Sequence, residues 1–288
     1  VSGIIETGLR GVDLLVPLAS DSDGLVCGDL RSGVRILGTE IALRLASLPV
    51  DPFHVVIYLD SGLAEVDKVV AELHDAALFL KSVHVVDAVS SLLLQRHRAE
   101  RQDRKRDAVF AVSSSLRFLH GFRQTIHFER SDSGAGVPLN SFSVSEETVP
   151  GDFEAKLVCS RAVAVEAIYP AIDTRKSVST ASASNAIGQH RRKTADQVRL
   201  AINEVIENLY EGSINDDNWF FNTDPGGRAA VQLLCFISQP YFIAEPYTGQ
   251  KGAFVPVNQA VSNFEAILAG HLAHLMPRNF RFRNSLPG

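Results

Sequence analysis

Between Gly24 and about Asp173, short apolar runs alternate with longer amphipathic stretches. The runs GLVCG, HVVIYL, SVHVVDA, AVFAVS and AKLVCS are brief, bounded and rich in β-branched residues, as strands buried on both faces of a parallel sheet should be. Between them, Val34 to Leu48 and Ala64 to Leu80 predict helices. In the second, Val66, Val69, Val70 and Leu73 recur at helical spacing and form one apolar face. After Asp173 the pattern changes. TRKSVSTASASN is small, polar and without periodicity, which predicts a linker or exposed loop and a domain boundary, giving domains 1–176 and 177–288. Beyond it, Val198, Ala201, Ile202, Val205 and Leu209 predict a helix over Thr194 to Tyr210. Ala229 to Ser238 and Val257 to Leu272 read as helical too, so the second part is expected to be a small helical bundle. Between these helices, Asp224, Pro225, Gly226 and Gly227 carry turn signals beside the aromatic cluster Trp219, Phe220 and Phe221.

Composition narrows the picture. The chain has 288 residues, 45% of them hydrophobic, enough for a sizeable core in one large or two modest domains. A formal net charge of -5 gives no basic footprint for wholesale nucleic-acid binding. The one local exception is RHRAERQDRKR, Arg96 to Arg106, where interleaved Glu100 and Asp103 favour a solvated helix face over a phosphate-binding patch. Cys27, Cys159 and Cys235 stand far apart without CxxC spacing or histidine partners, as small buried hydrophobes of a reducing compartment do. No apolar run reaches the roughly 18 residues of a membrane span, so no direct membrane insertion is expected.

One segment carries candidate chemistry. Gly28-Asp29-Leu30-Arg31-Ser32-Gly33-Val34-Arg35 follows a predicted strand and opens a predicted helix, the context of a phosphate-binding loop. Glycines at its first and sixth positions let backbone N–H groups curl round phosphate oxygens, and the helix N-terminus adds partial positive charge. The lysine that should follow Gly33 is Val34, and the hydroxyl residue that should hold magnesium is Arg35. Valine cannot neutralise a phosphate, and a guanidinium repels a divalent cation. Without the lysine, a glycine-rich strand-to-helix turn with no ligand stands beside the binding reading.

Three longer segments point to a family. FISQPYFIAEPYTGQKGAFVPVNQAVSNFEAILAGHLAHL, Phe236 to Leu275, resembles the β subunit of rotary F-type ATP synthases over many consecutive positions. FEAKLVCSRAVAVEAIYPAID, Phe153 to Asp173, and ETGLRGVDLLVPL, Glu6 to Leu18, resemble it as well and fall in the family's order. The GDLRSG stretch is nearer to the family's α subunit. The resemblance implies an α/β fold, a P-loop NTPase (RecA-like) parallel-sheet domain followed by a C-terminal helical bundle. It also implies that the family's N-terminal β-barrel is absent from this chain, which puts ordinary assembly of the hexameric head in doubt.

Carried over residue by residue, the resemblance implies lost chemistry and a partly kept ligand pocket. The catalytic lysine and the magnesium ligand fall on Val34 and Arg35, the second acidic residue on Ser113, and the general base with its following arginine near Ser61 and Gly62. No carboxylate then polarises water, and no lysine meets the charge that develops in phosphoryl transfer. Arg117 matches a phosphate-facing arginine, and the adenine-stacking aromatics fall on Tyr169, Tyr241 and Tyr247. These tyrosines either sandwich a base or pack in the interior, and Arg35 could itself fill the phosphate site by pairing with Asp29 or with an acid of a neighbouring subunit. The family's acidic lever falls on Asp217 to Thr223, where Trp219, Phe220 and Phe221 replace its acids and suit a static apolar contact with a partner. The expectation is a non-catalytic β-like subunit of a larger complex, with α-like or stalk-like partners, on the mitochondrial matrix side or in a bacterial cytoplasm. It needs no cofactor and no metal. ATP or ADP bound without magnesium is the vestigial ligand. A divergent working ATPase subunit and a nucleotide-sensing regulatory subunit stay open as alternatives.

Overall fold

The computed structural model describes residues 3–19, 24–29, 31–46, 54–59, 83–87, 107–113, 123–130, 155–209, 214 and 223–287. The expected helix over Ala64 to Leu80, the basic run Arg96 to Arg106, Ser61, Gly62, Arg117, Trp219, Phe220 and Phe221 lie outside the described residues. The chain divides into two compact units. The first comprises Val1–Ser20, Arg31–Gly33 and Leu157–Gly288, and the second Asp21–Leu30 and Val34–Lys156. This division falls at Lys156 and Leu157 rather than near residue 176, and it joins the N-terminal segment to the C-terminal one.

The second unit holds strands β3 (Gly24–Asp29), β4 (His54–Leu59), β5 (Val83–Asp87), β6 (Asp107–Ser113) and β7 (Arg123–Arg130), with helix α2 (Val34–Ala46). Their order across the sheet is β5-β4-β6-β7-β3. β4 runs parallel to β5, with Val55 opposite Val83, and to β6, with His54 opposite Asp107. The sequence reading placed no strand at β7. It pairs antiparallel with both β6 and β3, so this sheet is mixed rather than wholly parallel. The run RQTIHFER is polar except at Ile126 and Phe128, so neither a continuous apolar stretch nor a sustained alternation announces it. In α2, Val34, Leu37 and Ile41 are buried at helical spacing. The same helix buries an ion pair, Arg44 Nε to Glu40 Oε1 at 2.6 Å, one turn apart.

The first unit begins with β1 (Ile4–Ile5), helix α1 (Arg10–Leu15) and β2 (Leu18–Ala19), which pairs antiparallel with β1. It resumes at Leu157 within β8 (Ala155–Cys159), followed by α3 (Arg161–Val165), β9 (Val178–Ser179), α4 (Gln189–Glu207), α5 (Pro225–Ile237), α6 (Glu245–Thr248) and α7 (Val257–Leu268). The longest helices of this unit are α4, α5 and α7. Each presents a stripe inward: Thr194, Val198, Ile202 and Ile206 on α4, and Ala260, Val261, Phe264 and Ile267 on α7, while α5 is buried from Ala229 to Ile237. At the centre the Phe236 ring meets Phe264 edge-on at 5.4 Å and Phe280 at 6.4 Å.

Two sequence signals resolve differently from their reading. Asp224 to Gly227 do not form a turn between elements but start α5. The Asp224 carboxylate accepts from the N–H groups of Gly226 and Gly227, and Pro225 occupies the first helical position, where a missing N–H costs nothing. The polar stretch after Asp173 is packed rather than a free linker. Asp173 accepts two bonds from the Arg175 guanidinium, at 3.1 and 3.0 Å. The Ser177 hydroxyl accepts from Val158 N–H at 2.9 Å, Arg199 donates to the Ser177 and Thr174 carbonyls, and Ser179 caps a 3-10 turn over Thr180–Ala183. Small hydroxyl residues here satisfy backbone groups locally, which composition alone reads as loop.

Candidate functional site

The two glycines of the phosphate-loop segment stand in different backbone settings. Gly28 is buried near the end of β3, and Gly33 sits at φ 83, a left-handed conformation that glycine adopts without strain. Arg31 is left-handed too, at φ 64, and is exposed. The two replaced positions then open α2. Val34 is fully buried, so the side chain at the lysine position is core packing. Arg35 is half-buried, and its carbonyl accepts from the Thr39 hydroxyl at 2.8 Å.

Within the first unit, Gly33 meets Tyr169. A Cβ built on Gly33 would lie 3.0 Å from Tyr169 Cε1 and 3.3 Å from Cδ1, so the ring edge rests directly on the glycine. Any side chain at 33 would push the ring away. Tyr169 is held from behind, because its carbonyl accepts from the Gln239 N–H at 2.9 Å.

Gln239 is buried and satisfied at both ends of its amide. Oε1 accepts from the Arg10 N–H at 3.1 Å and from Arg10 Nε at 3.4 Å, while Nε2 donates to the Gly8 and Ala253 carbonyls. From Gln239 the chain makes a closed excursion. Ala253 N–H donates to the Pro240 carbonyl at 3.2 Å, Gly252 N–H donates to Glu245 Oε1 at 2.6 Å, and the Gly249 cap of α6 is left-handed. This excursion separates the other two tyrosines. Tyr241 is 5% exposed and belongs to the interior, whereas Tyr247 on α6 is 72% exposed, its ring open to a ligand or partner.

Of the expected pocket, then, the structure brings together Gly33 and Tyr169, buries Val34 and Tyr241, and leaves Tyr247 outward. The N-terminal segment supplies what sequence reasoning missed. Arg10 is fully buried, with its guanidinium carbon 4.0 Å over the Phe236 ring and Nη2 donating to the Arg283 carbonyl. Burial pulls its pKa down to about 9. Asp13, also buried, accepts from Thr7 N–H at 2.9 Å, Thr7 Oγ1 at 2.7 Å and Gly8 N–H at 2.7 Å. Burial still pushes its carboxyl up to about 6, against these donors and nearby Arg191. From α4, Arg191 donates to the Asp13 carbonyl and Arg199 to the Leu15 carbonyl, satisfying the C-terminal carbonyls of α1. The available signal for these residues was an arginine and an aspartate three apart inside the apolar run LRGVDLLV. Buried polar residues so placed usually organise backbone.

Cys159 and Cys235 are buried, and burial pushes the Cys235 thiol up to about 11, away from reactivity. Among the described residues no cluster of histidine, cysteine and carboxylate groups could hold a metal ion, and no helix is long and apolar enough to cross a membrane. No model of a known protein family matches the chain.

Proposed function

We propose that the chain is a non-catalytic subunit resembling the rotary ATP synthase β subunit, serving as a structural or assembly component of a larger complex. The observation that carries this reading is Val34. At the position where phosphoryl transfer needs a mobile lysine, a fully buried valine packs into the core. Arg35 follows where a magnesium-holding hydroxyl belongs, and a guanidinium there opposes a divalent cation. The compartment that goes with this reading is the mitochondrial matrix side or a bacterial cytoplasm, and its partners are α-like or stalk-like subunits met in part through Trp219, Phe220 and Phe221.

Retained nucleotide binding is a second reading, and Tyr247 favours it. An aromatic ring 72% exposed in a closed, glycine-capped excursion is free to stack on a base, and Tyr169 on Gly33 offers a second ring. In this form the protein senses or is braced by ATP or ADP without magnesium, with Arg117 as the remaining phosphate-facing group.

Calorimetric titration with ATP and ADP, with and without magnesium, tests both readings alongside a turnover assay. The scaffold reading expects no magnesium-dependent hydrolysis, and none after Val34→Lys, because the metal ligand and the base are also replaced. Turnover that depends on magnesium would overturn it. The sensing reading expects magnesium-independent binding that weakens about ten-fold or more in Tyr247→Ala, since one aromatic stack on a base is worth roughly 1–3 kcal/mol. Binding untouched by that variant would remove Tyr247 from the site.

A further inference from the structure

We propose that the segment Arg281–Arg283 is a strap whose seating positions Tyr169 on Gly33, through the positioning residues Arg10 and Gln239. The proposal does not depend on nucleotide binding, so it can fail or stand separately from the readings above. Its basis is one continuous series of polar contacts within the first unit. The Arg283 carbonyl accepts from Arg10 Nη2. Arg10 passes to Gln239 Oε1 through its backbone N–H at 3.1 Å and its Nε at 3.4 Å. Gln239 N–H donates to the Tyr169 carbonyl at 2.9 Å, and the Tyr169 ring lies against Gly33.

Two features mark the strap as an element held in place at a cost. Phe282 sits at φ 50, a left-handed conformation that a bulky side chain adopts only when its surroundings over-determine it. Those surroundings are present. Phe282 N–H donates to Ser238 Oγ at 3.0 Å, and Ser238 Oγ donates to the Cys235 carbonyl at 2.6 Å. Phe280, just before the strap, is fully buried against Phe236. The second feature is Arg10 itself. It is buried without a carboxylate partner among the described residues, and its Nη1 has no acceptor among them. Among the described residues its side chain donates to the strap, at the Arg283 carbonyl, and to Gln239 Oε1.

A guanidinium shared between a strained strap and the amide behind Tyr169 must respond when the strap moves. If Arg283 withdraws, the Arg10 fork loses one of its acceptors and swings from the geometry that bridges to Gln239 Oε1. Gln239 then loses one of the anchors that fix its backbone N–H on Tyr169. A buried cation with unmet donors is under strong pressure to find another acceptor, so the two ends cannot relax independently.

Residue-resolved amide hydrogen exchange on the full chain tests the coupling. Ser238→Ala removes the strap's Phe282 bond while leaving the side chains of Arg10, Gln239 and Tyr169 as they are, and the Arg10→Met background controls for its being the chain neighbour of Gln239. The expected result is faster exchange at Phe282 and, by at least about two-fold, at Gln239, the lower end of coupling within one hydrogen-bond network. Ile202 in α4 should stay unchanged. In an Arg10→Met background the same Ser238→Ala change should still free Phe282 but no longer reach Gln239. Faster exchange at Phe282 with Gln239 unmoved would overturn the proposal. So would an equal effect on Gln239 in both backgrounds, which would route the change along the Ser238–Gln239 backbone. A uniform rise that includes Ile202 would reduce it to general destabilisation.

Discussion

Asp13 concentrates the residue-scale argument. Its carboxylate holds the turn Thr7–Gly8 ahead of α1 by accepting three bonds, yet it is fully buried and its pKa is raised to about 6. For a folded pKa above the unfolded one, the native state binds the extra proton. The contribution is then full below the unfolded pKa of about 4 and is lost as pH rises through 6. A shift of about two units corresponds to roughly 3 kcal/mol between pH 4 and pH 7. Other carboxylates impose slopes of their own, so the readout is a difference. Denaturation of the natural chain and of Asp13→Asn across this range should show the natural chain losing ground to the variant as pH rises. A constant difference would mean that the three donors, not burial, control Asp13. The same scale explains why Val34 was legible and Asp13 was not. A missing lysine is visible at a fixed place in a motif, whereas the role of a polar residue inside an apolar run depends on which backbone groups come to surround it.

At the scale of elements, caps decide where helices begin. The sequence DPGG reads as a turn because all four residues are turn formers, but Asp224 accepts two N–H bonds and Pro225 has the φ a first helical turn requires. The expected start at Ala229 thus moves back to Pro225. Asp224→Ala should cost about 1 kcal/mol, the usual value of an N-cap, read as a lower midpoint in urea with an unchanged slope. A shift within error would show that Pro225 and the packing of α5 suffice to start the helix. The helices α4, α5 and α7 and the parallel strands β4, β5 and β6 were legible because each repeats an apolar period or run. Strand β7 was not, because a run that is polar except at Ile126 and Phe128 resembles loop composition until a partner strand exists on each side.

At the scale of the whole molecule, the boundary drawn from composition and the one drawn by packing differ, and α1 supplies the reason. Leu9, Val12, Leu14, Leu15 and Val16 are all essentially inaccessible, in a unit that otherwise begins at Arg31 and then Leu157. Five such side chains at roughly 1.5–3 kcal/mol each represent on the order of 10 kcal/mol of burial, comparable with the net stability of an entire domain. Composition finds boundaries where polarity rises. It cannot see that an apolar helix near one end of the chain is a wall of the bundle near the other. Arg199 makes the join polar as well as apolar, since it spans the carbonyls of Leu15, Thr174 and Ser177. Deleting residues 1–19 should therefore unfold the bundle rather than trim it. Amides of Val231 to Ile237 in α5, protected in the intact chain, should exchange as fast as an unfolded peptide, and adding residues 1–19 back as a peptide should restore part of the protection. Retained protection after the deletion would make the N-terminal segment an appendage and return the boundary to the polar stretch after Asp173.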